Sequence, residues 1–176
     1  MMSVVFSNAF LSHTDRNFAK SLLESAFPAE ERPSFEAMER RGDEYRLCVV
    51  QKDAKNIGVF GYWNFRKTVY IEHFAISEPL RNNGLGGEVL GTFLNQLHSD
   101  MQVVLEAELP DNTLAQRRIG FYQRHGFTAN TFEYLQPPYR PGDGFLPMLL
   151  LSRNPLNEKE YEEIRDVLYK KVYGIF

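Results

Sequence analysis

Three apolar runs, Tyr45 to Lys52, Ile57 to Phe65 and Thr68 to Ile76, are separated only by short polar turns at Lys55-Asn56 and Arg66-Lys67. Apolar runs this short, joined by turns this tight, predict an antiparallel meander of three strands. A chain committed to a meander near its middle must build the rest of its fold around a sheet. Val4 to Phe10 predicts an earlier strand. Ser12 or Thr14 can then cap a helix bearing Phe18, Leu22, Leu23 and Ala26 at helical spacing. Pro33-Ser34 opens a second, short helix with Phe35 and Met38, closed by Gly42-Asp43.

The segment after the meander points to chemistry. Beyond Pro79 comes Arg81-Asn82-Asn83-Gly84-Leu85-Gly86-Gly87, then a helix with Leu85, Val89, Leu90, Phe93, Leu94 and Leu97 on one face. A helix N-terminus carries unpaired backbone N–H groups and a positive dipole end, so it attracts phosphate. Gly84, Gly86 and Gly87 put no side chain in the way, and Arg81 adds a planar cationic fork. The spacing lacks the full dinucleotide pattern, and no Gly-Lys-Ser/Thr ending is present. On its own the loop supports an anion site, or simply a turn before a surface helix.

Gln102 to Glu108 predicts a further strand. Asp111-Asn112-Thr113 caps a helix running to about Arg124 and stopped by Gly126. Strands are predicted at Phe127 to Leu135 and Phe145 to Leu151, with an irregular loop over 136–144 rich in proline and glycine. Tyr161, Ile164, Leu168 and Val172 predict a terminal helix over about 157–173. No repeat, low-complexity tract or linker interrupts the chain, so one domain over 1–176 is expected, of α/β (α+β) class.

A second motif changes the reading of the loop. Ile119-Gly120-Phe121-Tyr122-Gln123-Arg124-His125-Gly126-Phe127 lies one strand and one helix downstream. Together the two stretches resemble the GNAT superfamily of N-acetyltransferases. Arg81, Gly84 and Gly86 match its pyrophosphate loop, and Phe121, Tyr122, Gly126 and Phe127 match its later aromatic-Tyr-x-x-x-Gly-Phe signature. The resemblance is firm from about Tyr70 to Phe127. It implies a mixed, strongly twisted central sheet, flanked by helices, with splayed middle strands ending near Ile76 and Glu108. It implies acetyl-CoA as cosubstrate, held by Arg81, Asn82, Asn83, Gly84, Leu85, Gly86 and Gly87. Backbone groups of Phe74, Ala75 and Ile76 would hold the pantetheine, with Asn112 near the cofactor arm. Tyr122 matches the acid that protonates the leaving thiolate.

The base is less sharply marked. Glu72 and His73 are adjacent on a strand and are expected to point to opposite faces. Family members often use a glutamate on this strand, so Glu72 is the first choice, against a structural ion pair. Glu106 and Glu108 are the alternative carboxylates. His125, beside Gly126, reads as a helix C-terminal cation.

The bulk numbers narrow the partners. Of 176 residues, 20 are basic and 23 acidic, a net charge of −3 that does not favour nucleic acid. There is no long apolar span for a membrane and no signal peptide, so a cytoplasmic setting is expected. A single cysteine, Cys48, in an apolar run is expected to be buried and inert. His13, His73, His98 and His125 show no paired ligand spacing, so no metal is expected. The expected function is transfer of an acetyl group from acetyl-CoA to a primary amine of a small molecule or protein. The alternative is a non-catalytic acyl-CoA sensor. Tyr62, Trp63, Phe65, Tyr134 and Tyr139 are candidates to line an acceptor pocket. The loop 136–144 is expected over the acceptor site or in a homodimer contact.

Overall fold

A computed structural model describes residues 3–175. The fold is mixed α/β, with eight strands and five α-helices among those residues. The chain divides into two compact units, Met101 ending the first and Gln102 beginning the second.

In the first unit, β1 (Val5–Asn8), β2 (Tyr45–Lys52), β3 (Lys55–Phe65) and β4 (Thr68–Ile76) pair antiparallel in that order. The meander forms as the alternation predicts, with one correction. The first turn lies at Asp53-Ala54, not Lys55-Asn56. Both residues are left-handed, at φ 52° and 59°. That conformation suits the right-handed twist of a two-residue hairpin, yet neither residue is the glycine that usually marks it.

Helix α1 (His13–Ala26) starts at Ser12, whose hydroxyl accepts from the Asp15 amide. It buries Ala19, Leu22 and Leu23 and packs on β2, β3 and β4. The short α2 (Phe35–Glu39) is capped by Ser34 and buries Phe35 and Met38. Helix α3 (Leu85–Gln96) buries Val89, Leu90 and Phe93. Phe93 lies 4.3 Å from the Phe60 ring and 4.9 Å from Tyr62, and Phe6 and Phe74 complete this aromatic layer.

In the second unit, β8 (Leu146–Ser152) pairs antiparallel with β5 (Gln102–Glu108), β6 (Thr128–Ala129) and β7 (Tyr134–Gln136). Helix α4 (Thr113–Arg124) buries Ala115, Ile119 and Tyr122 and packs on β5 and β6. The single strand predicted over Phe127 to Leu135 is instead two short strands. Asn130 breaks it. Its side chain donates to the Leu150 carbonyl and the Ser152 hydroxyl, and accepts from the Leu156 amide. A short amide side chain that can bond the backbone diverts the chain from a regular ladder. Helix α5 (Glu158–Lys171) begins with a capping box between Asn157 and Glu160 and buries Tyr161 and Leu168.

No helix among the described residues is long and apolar enough to cross a membrane.

Candidate active site

The anion loop is built by the exit from β4. A 3-10 turn at Glu78–Leu80 leads to Arg81, whose Nε donates to the Ile76 carbonyl at 2.8 Å. One guanidinium N–H thus buttresses the strand end, and the rest of the fork is a candidate phosphate ligand. Asn83 bonds back to the Leu80 carbonyl at 3.5 Å. Asn82 and Gly84 are both left-handed, at φ 64° and 76°. Gly84 is the N-cap of α3 and supplies no side-chain cap. The first helical bond runs from the Glu88 amide to the Gly84 carbonyl. The amides of Leu85, Gly86 and Gly87 therefore occupy the first turn, where a helix has no carbonyl to offer them.

Phe74, Ala75 and Ile76 pair with Phe60, Val59 and Gly58 of β3. Gly58 is required there. A Cβ added to it would stand 2.6 Å from the Ala75 carbonyl oxygen. The sequence offered no sign of this close approach, because it depends on two strands being in register.

Glu72 and His73 do not point apart. Gly61 pairs with His73 and Tyr62 with Ile71, which leaves Glu72 as the extra residue of a β-bulge. The bulge breaks the alternation, and the two side chains approach to 3.7 Å. The Glu72 carboxylate is fully buried, 0% exposed. It accepts from Arg41 Nη1 at 2.5 Å, Arg41 Nη2 at 3.0 Å and Trp63 Nε1 at 3.1 Å. The Arg41 guanidinium lies over the Tyr45 and Trp63 rings at 4.5 and 4.7 Å. His73 Nε2 lies 3.2 Å from the Glu31 carbonyl, and Phe27 packs on its ring. Burial holds the His73 pKa below its usual value, against the opposing pull of Glu72.

Tyr122 sits on α4 between the rings of Phe121 and Phe127, at 5.2 and 5.7 Å. Gly126, left-handed at φ 84°, ends the helix, and the Phe127 amide returns to the Tyr122 carbonyl at 3.1 Å. The Tyr122 side chain is largely buried, yet its hydroxyl has no hydrogen-bond partner among the described residues. Burial pushes its pKa up to about 12, with Arg118 opposing. His125 Nδ1 donates to the Phe121 carbonyl at 2.7 Å, which fixes that nitrogen as the protonated one and places His125 at the helix C-terminus. Asn112 is the N-cap of α4 and accepts from the Ala115 amide at 2.9 Å.

The two other carboxylates differ from each other. Glu108 makes a half-exposed pair with Arg118 at 3.3 Å. Glu106 is held by Tyr134, by Gln136 Nε2 at 2.5 Å and by Tyr173 Oη at 2.6 Å. Sequence reasoning singled out Glu106 but not its partners Gln136 and Tyr173. They come from β7 and the end of the chain, and no short-range pattern links them. Cys48 is buried, as expected, with its pKa raised to about 11 by burial. Among the described residues, no group of three or more His, Cys, Asp or Glu side chains is placed to hold a metal ion.

The model of the Acetyltransferase (GNAT) family matches residues 13–127. This chain belongs to the GNAT family. A solved GNAT-family structure from Bacteroides thetaiotaomicron, itself an acetyltransferase by assignment, shares 38% identity with a TM-score of 0.89. That match covers 98% of this chain and 99% of the other. The Bacillus subtilis protein YjbC, also an acetyltransferase by assignment, is 28% identical over 105 residues. The match spans 60% of this chain and 54% of YjbC, about half of that relative's length. Arabidopsis thaliana Naa50, solved with the bisubstrate analogue CoA-Ac-MVNAL, superposes with a TM-score of 0.63 at 17% identity. That match covers 86% of this chain and 99% of the other, and at this identity the likeness is one of GNAT fold.

Proposed function

We propose that this GNAT protein transfers an acetyl group from acetyl-CoA to a primary amine of a small molecule or protein. The observation that carries the reading is the N-terminus of α3. It is led by a left-handed glycine, has no side-chain cap and is preceded by Arg81. Such a terminus offers N–H groups and a positive dipole end to a pyrophosphate. Arg81, Asn82, Asn83, Gly84, Leu85, Gly86 and Gly87 are its proposed ligands. The backbone of Phe74, Ala75 and Ile76 is proposed to hold the pantetheine. Asn112, occupied as a helix cap, is proposed to shape the cofactor arm through the start of α4 rather than by its own amide.

In the reaction, the neutral amine attacks the thioester carbonyl carbon. A carbon–nitrogen bond forms, the carbon–sulfur bond breaks, and coenzyme A leaves as its thiol. Tyr122 is proposed to give the thiolate its proton and to recover one from solvent. A phenol held near pKa 12 is fully protonated at neutral pH, and its hydroxyl is not engaged by another side chain. The proton lost by the amine needs a base with access to it. The Glu72 side chain has no exposed surface and is clasped by Arg41 and Trp63, so we assign it the ion-pair role and leave the base to a carboxylate or water outside that pair.

The test combines thermal stabilisation by acetyl-CoA, with ATP as control, and thiol release across an amine library. Stabilisation by acetyl-CoA alone, with turnover of an amine, is the expected result. Stabilisation without turnover of any amine would make the protein an acyl-CoA sensor. Equal effects of ATP and acetyl-CoA, or none from either, would overturn the assignment.

A further inference from the structure

Seven large apolar side chains are well exposed among the described residues, and three of them belong to one hairpin: Leu135 at 38%, Phe145 at 50% and Leu146 at 42%. The other four are scattered through the chain. The hairpin joins β7 to β8, with Leu135 opposite Pro147 and Gln136 opposite Leu146. Beside it runs an open groove of about 370 Å³, lined by Glu133, Leu135, Tyr161, Arg165, Asp166 and Tyr169. The Phe145 ring lies 6.5 Å from that of Tyr169, so the apolar patch runs into the groove. Clustered apolar exposure of this kind marks a contact surface.

Charge indicates what covers it. Arg165 in the groove is tied to Asp166 at 2.8 Å and lies over the Tyr161 ring at 5.7 Å. The Glu133 carboxylate makes no hydrogen bond or ion pair among the described residues. Two carboxylates against one guanidinium leave the groove acidic over an aromatic floor. The complement stands on the same hairpin. Residues 140–147 are all exposed, and the Arg140 guanidinium makes no hydrogen bond or ion pair among the described residues. A guanidinium pairs with carboxylates and stacks on tyrosine faces. Pro138 and Pro141 stiffen the tip, so it loses little freedom on docking. The tip does not lie in its own groove, since none of residues 136–144 lines it. Pro137 is buried and Tyr139 packs on Tyr173 at 5.0 Å, which anchors the base of the loop. Strand addition is not the mode of contact. Tyr161 and Tyr169 donate to the Glu133 and Leu135 carbonyls at 2.6 and 2.5 Å, so the edge of β7 is already engaged.

We propose that this face is the interface of a symmetric dimer, in which the Arg140-Pro141 tip of each copy docks on the Tyr161–Tyr169 groove of the other. Phe145 ends the exposed tip and also meets the groove, so one two-fold axis near it satisfies both tips and both grooves. Of the two places expected for the loop 136–144, this chooses the dimer contact. It does not depend on the acetyltransferase reading.

Sedimentation velocity of the full chain over a hundredfold range of concentration tests it. The wild type is expected to sediment as a dimer at the upper end. Phe145→Ser and Arg140→Glu should each raise the dimer dissociation constant by roughly tenfold or more. Both positions are exposed, so circular dichroism spectra should be unchanged. Arg140→Glu combined with Glu133→Arg should recover much of the affinity that either change loses alone, which a merely local role would not produce. A wild type monomeric at every concentration overturns the proposal, as does a dimer indifferent to the single substitutions. A double variant that recovers nothing overturns the pairing of tip with groove. A monomer that instead takes up a synthetic arginine- and proline-rich peptide at Tyr161 and Tyr169 gives the face to another protein and overturns it equally.

Discussion

The Tyr122 ring is largely buried, while its hydroxyl is bonded to no other side chain, so a change there is expected to act on chemistry more than on packing. Tyr122→Phe is expected to lower turnover by roughly 100-fold, the usual scale of a lost acid. Its affinity for acetyl-CoA should stay within about twofold of the wild type, and its melting temperature should not fall. Steady-state kinetics and calorimetry on the same preparation check both halves. A clear drop in melting temperature would show that the hydroxyl makes a structural bond after all. The same burial sets an alkaline limit. The folded pKa of Tyr122 is raised to about 12, and those of Tyr45 and Tyr134 are raised too, burial being the largest cause in each. Unfolded tyrosines lose their protons near pH 10, before the folded ones do. The stability these groups contribute is therefore intact below pH 10 and declines as pH climbs from about 10 through 12. Urea midpoints at pH 8, 10 and 11 should fall in that order. His73 acts on the other side. Its folded pKa is depressed, so its contribution is lost as pH falls below its unfolded value of about 6.5.

At the scale of elements, β2, β4 and β5 take the bounds that apolar runs and the turns around them predict, because those signals are local in sequence. The departures have local causes. The turn at Asp53-Ala54 was illegible because alanine hides a left-handed position. The break between β6 and β7 turns on Asn130 finding partners on β8 and before α5, which no window of sequence contains. The Arg41–Glu72 pair joins residues from a loop and a bulge, and the bulge itself needed the β3 register to be seen. Likewise the α3 terminus was readable from its glycines, whereas the surroundings of Glu106 were not. Two substitutions probe these elements. Ala54→Gly converts the turn to the favoured Asp-Gly pair and should raise stability by about 0.5–1 kcal/mol, since an L-residue there pays a left-handed penalty. A lower urea midpoint would show that the turn tolerates alanine without strain. Arg41→Met leaves the buried Glu72 carboxylate without its guanidinium and should cost about 3–5 kcal/mol. Adding Glu72→Gln should recover part of that loss, and a double-mutant cycle measures how much.

For the whole molecule, the GNAT family model matches residues up to Phe127, and a GNAT-family structure matches 98% of the chain. Residues 13–127 match the family model, and they include the α3 terminus, Glu72 and Tyr122. Residues 128–175 supply Tyr134, Gln136 and Tyr173, which donate to Glu106 of the matched span. Ligand binding should be visible as global stability. Acetyl-CoA at 100 times its Kd stabilises the folded state by about 2.7 kcal/mol. In a chain of this size that raises the melting temperature by roughly 5–10 °C. Differential scanning fluorimetry over a ligand series checks the logarithmic dependence.

The strand pairings also order events in time. β2, β3 and β4 are hairpin neighbours whose ends meet after closing only short loops. The β5–β8 pairing spans α4, β6, β7 and the proline-rich loop. Loop closure costs more entropy as the loop grows, and distant pairings form later. In pulse-labelled refolding, amides of β2 to β4 should acquire protection first. Glu106 meets Tyr173 only after α5 has followed β8 into place.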